Sequence, residues 1–276
     1  MKIKKAKSYG FCFGVKRAVE IAENSQNAVT LGPLIHNPLE INRLSKEYNV
    51  KYVNSIDEIN ENIKRVIVRT HGIEKDRYQK LLNKNIEVID ATCPFVKKPQ
   101  EIVEEMSGKG YDIVIFGDKN HPEIQGVMSY GIHKRVFVVL DVKELENIKL
   151  KEKIATVAQT TRKIEDYLKI TNYLIQNHKE VRVFNTICNA TFEHQEAVRE
   201  LSEEVDIVII VGGKNSSNTK QLFNIAKASS EAYLVESVDE LKKEWFLNKN
   251  LCGISAGAST PEWLVEKIIS KIKELT

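Results

Sequence analysis

VIDATCPFVKKPQEIVEEM, Val88–Met106, leaves a β-branched run, passes through a cysteine and continues with helical apolar spacing. Cys93 therefore stands at the joint between a strand end and a helix start. A thiol placed just ahead of a helix has its thiolate stabilised by the dipole and the unbonded N–H groups. The same joint recurs. CPFVKKPQEIV (Cys93–Val103) aligns with CNATFEHQEAV (Cys188–Val198), and Gln-Glu follows the cysteine at the same offset in both, at Gln100 and Gln195. DIVIFGDKNH (Asp112–His121) aligns with DIVIIVGGKNS (Asp206–Ser216), so His121 and Ser216 each lie 28 residues after their cysteine. VKEL at Val142 matches VDEL at Val238, and each is followed by a strand and a polar turn, Ala158-Gln-Thr-Thr and Ser255-Ala-Gly-Ala-Ser-Thr.

A fainter copy begins at Cys12. It has a helix over Val15–Ala22, the turn LGPLIHNP from Leu31, IDEI at Ile56, a strand over Arg65–Arg69 and the turn Thr70-His71-Gly72. The strand Ile86–Asp90 then delivers Cys93, as Val181–Phe184 delivers Cys188. The third copy ends in a helix, Trp263–Lys273, with no strand after it, and the N-terminal strand Ile3–Ser8, which delivers Cys12, can supply the missing one. Repetition of this kind marks an architecture before any single element does. Alternating strands and helices predict parallel sheets, and runs such as IVIF and IVIIV suit strands covered on both faces. The expected fold is α/β: three quasi-repeated units, each with a small mainly parallel sheet, in a pseudo-threefold trefoil around a central cavity. The units span 12–92, 93–187 and 188–276, the last completed by 1–11. Ligands in such folds bind beyond the C-terminal strand ends, where every repeated cysteine and polar turn falls.

Composition narrows the function classes. The chain has 276 residues, 42% hydrophobic and 29% charged, with a net charge of +3. That is an ordinary globular composition, and no basic run with interleaved aromatics predicts a nucleic-acid surface. No apolar run approaches the length of a membrane span, and no signal region opens the chain, so a cytoplasmic protein is expected. There four cysteines favour metal binding or catalysis over disulfides. Cys252 lies in a strand-like run outside the repeat and reads as core packing. Cys12, Cys93 and Cys188, meeting on an axis, would suit zinc or an iron–sulfur cluster. The absence of Cys-x-x-Cys pairs and the number three argue against a closed structural zinc site.

The polar turns offer His36, His121 and Ser216-Ser217-Asn218 in one set, and His71, Thr160 and Ser259 in the other. Imidazoles, hydroxyls and an amide beside helix N-termini suit a phosphate or diphosphate. For any one of the serines or the asparagine alone, capping a helix is the commoner role, and Ser259 through Glu262 resembles a capping box; the equivalence across the units favours a shared site. Glu123 is the one carboxylate in the set. It is either a proton donor with a desolvation-raised pKa or an ordinary first-turn glutamate.

The stretches GFCFGVKRAVE, RTHG, DATCPFVKK, NHPEIQG, VAQTT, TICNATFEHQEAV, GGKNSSNT and SAGAST, spread over almost the whole chain, closely resemble the 4-hydroxy-3-methylbut-2-enyl diphosphate reductase family. One departure is His194, where that family more often has Arg. The resemblance implies a [4Fe–4S] cluster on Cys12, Cys93 and Cys188 with one open iron. It implies that His36, His71, His121, Ser216, Ser217, Asn218 and Ser259 grip the substrate diphosphate, that Thr160 also binds substrate, and that Glu123 supplies protons with Thr160 and His121 assisting. It implies reductive dehydroxylation to isopentenyl and dimethylallyl diphosphate, the last step of the methylerythritol phosphate route. No Gly-x-Gly-x-x-Gly is present, so electrons are expected from a partner such as ferredoxin or flavodoxin, with neither nucleic acid nor membrane involved. The rivals are a zinc- or cluster-bound regulatory or binding protein without turnover, and a phosphate-ester hydrolase with one nucleophilic cysteine.

Overall fold

The run IVIIV owes its unbroken apolar character to cover on both of its faces. In the computed structural model, which describes residues 1–133 and 135–276, Ile207, Ile209 and Val211 pack with Leu264, Val265, Ile268 and Ile272 of the C-terminal helix. The intervening Val208 and Ile210 pack with Ala197, Val198, Leu201, Leu222 and Ala226 of two other helices. IVIF is covered in the same way. Ile113 and Ile115 meet Val103, Met106 and Ile124, while Val114 and Phe116 meet Leu145, Tyr167 and Ile170. Each buried Val, Leu, Ile, Met or Phe side chain among them contributes about 1.5–3 kcal/mol by leaving water.

In chain order the elements are β1 (Lys2–Lys5), α1 (Phe13–Asn24), β2 (Val29–Leu31), α2 (Pro38–Tyr48), β3 (Lys51–Val53), β4 (Arg65–Val68), α3 (Lys75–Leu82) and β5 (Glu87–Asp90). There follow α4 (Pro94–Gly108), β6 (Asp112–Phe116), α5 (Pro122–Met128), β7 (Val136–Val139), α6 (Val142–Glu146), β8 (Lys153–Ala158), α7 (Ile164–Asn177) and β9 (Glu180–Val183). The last are α8 (Asn189–Glu204), β10 (Ile207–Val211), α9 (Ser217–Ser229), β11 (Glu231–Val235), β12 (Leu251–Ala256) and α10 (Glu262–Leu275). They form three four-stranded sheets, ordered β3-β2-β4-β5, β7-β6-β8-β9 and β11-β10-β12-β1, with every pairing parallel.

Numbered within each sheet, the order is second-first-third-fourth in all three. The N-terminal strand fills the fourth place of the last sheet, with Ile3 opposite Cys252. It is shorter than Ile3–Ser8, because the chain bends at Lys7 and Ser8. Beyond β1 the pairing persists as separate bonds, from Ala6 N–H to the Ile254 carbonyl and from Gly10 N–H to that of Ala256.

By contact the chain falls into two compact units. One comprises Met1–Arg17, Ile35–Glu47 and Asn189–Thr276 and holds the sheet completed by β1; the other comprises Ala18–Leu34 and Tyr48–Cys188 and holds the other two sheets. Within the second unit α4 links the sheets. Its N-cap residue, Cys93, follows β5, while Val103 and Met106 are buried against β6 and β8. Pro99 lies inside this helix and removes the bond to the Phe95 carbonyl without ending it.

Candidate functional site

Each repeated cysteine is placed by a sheet ladder that runs on past its strands. Cys93 N–H donates to the Thr70 carbonyl, Cys188 N–H to that of Thr160 and Cys12 N–H to that of Ala258, at 3.0, 2.9 and 3.2 Å. In all three cases the acceptor lies two residues beyond the end of the sheet's third strand. A helix then starts at the next residue, Pro94, Asn189 or Phe13. The three thiols are half-buried. Cys252 differs in every respect. It is fully buried in β12, and burial pushes its pKa up to about 12, as suits a core residue.

Two short-range devices hold the cysteine turns. Asp90 accepts from Thr92 N–H at 2.9 Å and pairs with Lys97 at 2.6 Å, clasping the turn that carries Cys93. Burial pushes the Asp90 pKa up, but the hydrogen bonds from Lys97 and Thr92 outweigh it and hold the group below the usual carboxylate range. On the approach to Cys188, the Thr186 hydroxyl accepts from Ala158 N–H at 2.8 Å and donates to the Ala158 carbonyl at 2.6 Å. It bridges the ladder between the bonds made by Phe184 and Cys188.

Glu123 sits in the first turn of α5 and is 2% exposed. One carboxylate oxygen accepts from Thr160 N–H and the other from the Thr160 hydroxyl, both at 2.7 Å. Burial raises its pKa above the ordinary value, against these hydrogen bonds and the charge of Arg162, which lower it. A plain first-turn glutamate stabilised by the dipole would face solvent; this one is sequestered. His121 is the N-cap of α5, and its Nδ1 accepts from Glu123 N–H at 3.2 Å. That bond assigns the proton of the neutral ring to Nε2. His71 lies edge-on to His121, with ring centroids 5.6 Å apart. The turn before it is anchored by the Thr70 hydroxyl, which donates to the Leu34 carbonyl at 2.9 Å.

In the first unit, Ser216 caps α9, its hydroxyl accepting from Thr219 N–H at 3.3 Å, and Ser217 opens the helix. Asn218 is 3% exposed, and neither its amide oxygen nor its nitrogen has a hydrogen-bond partner. A buried amide with both ends unsatisfied is costly, which makes Asn218 a candidate for contact with a polar ligand. The main chain of His36 passes close to this helix start, with its carbonyl 2.7 Å from where a Cβ on Gly213 would lie. Ser259 lies in a tight turn closed by Thr260 N–H to the Gly257 carbonyl at 2.8 Å, and a Cβ on Gly257 would strike the Thr219 hydroxyl. The turn and the start of α9 are thus packed together. The capping-box expectation for Ser259 fails. The N-cap of α10 is Pro261, with no side-chain cap bond, because the turn ends one residue before the helix.

Gln159 had no assigned role in the sequence. It is 1% exposed, and its amide oxygen accepts from Asp118 N–H at 3.0 Å and from Arg162 at 3.4 Å, joining the turns after β6 and β8. Its place inside the repeated polar turn was the signal for it.

The LytB protein family matches residues 3–273. The chain belongs to the LytB family. A LytB relative from Nautilia profundicola, named 4-hydroxy-3-methylbut-2-enyl diphosphate reductase, is 82% identical over 275 residues, covering 100% of both chains. One of the same name from Campylobacter fetus is 62% identical, over 100% of this chain and 99% of its own. Among solved structures, an (E)-4-hydroxy-3-methyl-but-2-enyl diphosphate reductase, described as the terminal enzyme of the non-mevalonate pathway, is 42% identical with a TM-score of 0.75, covering 99% of each chain. The Plasmodium falciparum E-1-hydroxy-2-methyl-but-2-enyl-4-diphosphate reductase is 27% identical with a TM-score of 0.89, over 98% of this chain and 87% of that one. No helix among the described residues is long and apolar enough to cross a membrane.

Proposed function

We propose that this LytB protein is a 4-hydroxy-3-methylbut-2-enyl diphosphate reductase. It would remove the allylic hydroxyl of its substrate with two electrons and two protons, releasing water and isopentenyl or dimethylallyl diphosphate. The observation that carries this reading is the sequestered Glu123–Thr160 pair beside His121, in a chain that matches its relatives from end to end.

Cys12, Cys93 and Cys188 would hold a [4Fe–4S] cluster. The donor set fits it. Three half-buried thiols sit at helix starts, each set by the same ladder bond, and the fourth cysteine is withdrawn into the core. When bound, the cluster supplies electrons and Lewis acidity. Such a group needs electrons from outside, and a ferredoxin or flavodoxin would deliver them.

The chain's own residues do the rest. The start of α9, with Ser216, Ser217 and Asn218, meets the diphosphate with N–H groups, hydroxyls and the unsatisfied amide. Ser259, His36, His71 and the Nε2–H of His121 add donors without a fixed positive charge. This grip makes the reaction effectively unimolecular. Burial favours the protonated form of Glu123, and in that form the Thr160 bond reverses: the acid donates to the Thr160 hydroxyl, which in turn donates toward substrate.

The test is turnover by anaerobically prepared protein with a reduced donor. The wild-type chain is expected to form both products. Glu123→Gln should lose at least about 100-fold in kcat with KM changed less than about threefold, the pattern of a lost proton donor. Near-normal turnover by the variant would remove Glu123 from this role, and no product from cluster-bearing wild type would remove the function.

A further inference from the structure

Gln100 was singled out by the repeat and has no part in the chemistry above. It lies two helical turns past Cys93 on α4 and is 5% exposed, and its amide nitrogen has no hydrogen-bond partner. Gln195, at the same offset from Cys188, is also buried, with an unsatisfied amide nitrogen. A buried donor left unpaired in two copies of a repeat calls for a reason beyond packing.

The surroundings of Gln100 supply one. Its nitrogen lies 2.8 Å from where a Cβ on Gly72 would stand and 3.5 Å from where one on Gly126 would stand. The His71 and Ile73 carbonyls are each 3.6 Å from that same Gly126 position, and of the two His71 belongs to the residue read as gripping the anion. The amide therefore fills the gap between the His71–Gly72 turn and α5, the helix that carries His121 at its cap and Glu123 in its first turn. Gly72 has φ +69°, so the turn has a backbone shape that favours glycine as well as no room for a side chain. Behind the turn is a cavity of about 270 Å³ lined by Gly72, Thr92 and Gln100 among others. The turn and the unpaired amide thus line one space.

We infer that Gln100 is a positioning residue for substrate binding: its amide N–H is the donor that fastens the His71 main-chain carbonyl when an anion draws the His71 ring into place. α4 then joins Cys93 at its cap to the histidine pair two turns along. The inference rests on the reading that His71 grips the diphosphate.

The experiment uses the full chain and the variant Gln100→Leu, which keeps the bulk and removes the donor. KM for the substrate should rise about tenfold while kcat stays within about threefold, as for lost ground-state binding. Affinity for inorganic diphosphate, measured by titration calorimetry without turnover, should fall in parallel. Tm should hold or rise, since an unsatisfied amide has been removed. A merely structural side chain would instead lower Tm and kcat together. Gln100→Met repeats the test should the leucine fold poorly. Unchanged KM and diphosphate affinity, or a kcat loss tracking a lower Tm, overturns the inference. A cluster-bearing wild type that binds diphosphate and turns over nothing counts against the functional reading, while the calorimetry still decides the role of Gln100.

Discussion

Glu123 shows how little spacing says about one residue. Two positions after His121, it reads equally as a proton donor or as a first-turn glutamate. The fact that bears on the choice is Thr160, 37 residues on, which gives it two hydrogen bonds in a dry setting. The raised pKa has a stability consequence. A carboxyl whose folded pKa exceeds its unfolded value contributes stability below the unfolded value and loses it as pH rises through the folded one. Glu123→Gln removes that loss, so the Tm of the variant relative to wild type should increase with pH; a difference that shrinks with pH would contradict it.

His194 is the opposite case. It is 3% exposed, and burial pushes its pKa from 6.5 down to about 4. The fold favours the neutral ring, so its contribution is complete above pH 6.5 and is lost as pH falls toward 4. The loss should reach on the order of 3 kcal/mol. Urea unfolding at stepped pH measures it, and His194→Met should flatten the slope across that window. The sequence marked His194 only as a departure from a family habit; its burial depends on how α8 packs, which no local pattern encodes.

Among the elements, strands buried on both faces were the most legible, since cover on both faces leaves an unbroken apolar run. Strand ends were less so. β1 stops at Lys5 where the pattern suggested Ser8, because the chain bends at Lys7 and Ser8 and only isolated ladder bonds continue. The ladder that positions the cysteines was invisible, since it is made by backbone groups of residues with no strand-like pattern. Thr186 tests it. Its hydroxyl is the only side chain bridging the ladder beside Cys188 among the described residues, and Thr186→Val would leave Ala158 N–H and C=O unpaired. Leaving such buried groups unsatisfied should cost about 1–3 kcal/mol. Iron bound per chain should fall with Tm. A variant equal to wild type in both would show that the bridge is dispensable.

At the scale of the molecule, the repeat in the sequence appears as three sheets with one strand order, and the N-terminal strand completes the last. The actual order within each sheet was not readable, because parallel strands of similar composition do not announce their neighbours. What the repeat did announce is that three cysteines are equivalent and one is not. Cys12→Ser, Cys93→Ser and Cys188→Ser should each lower iron content to a comparable degree, while Cys252→Ala should change Tm but not metal content. A single sensitive cysteine would point to a nucleophile instead. Beneath all of this lies the identity of what the thiols hold, and the direct measurement is iron, zinc and acid-labile sulfide in protein purified without oxygen. The account predicts about four irons and about four sulfides per chain. About one zinc per chain with no sulfide would contradict it.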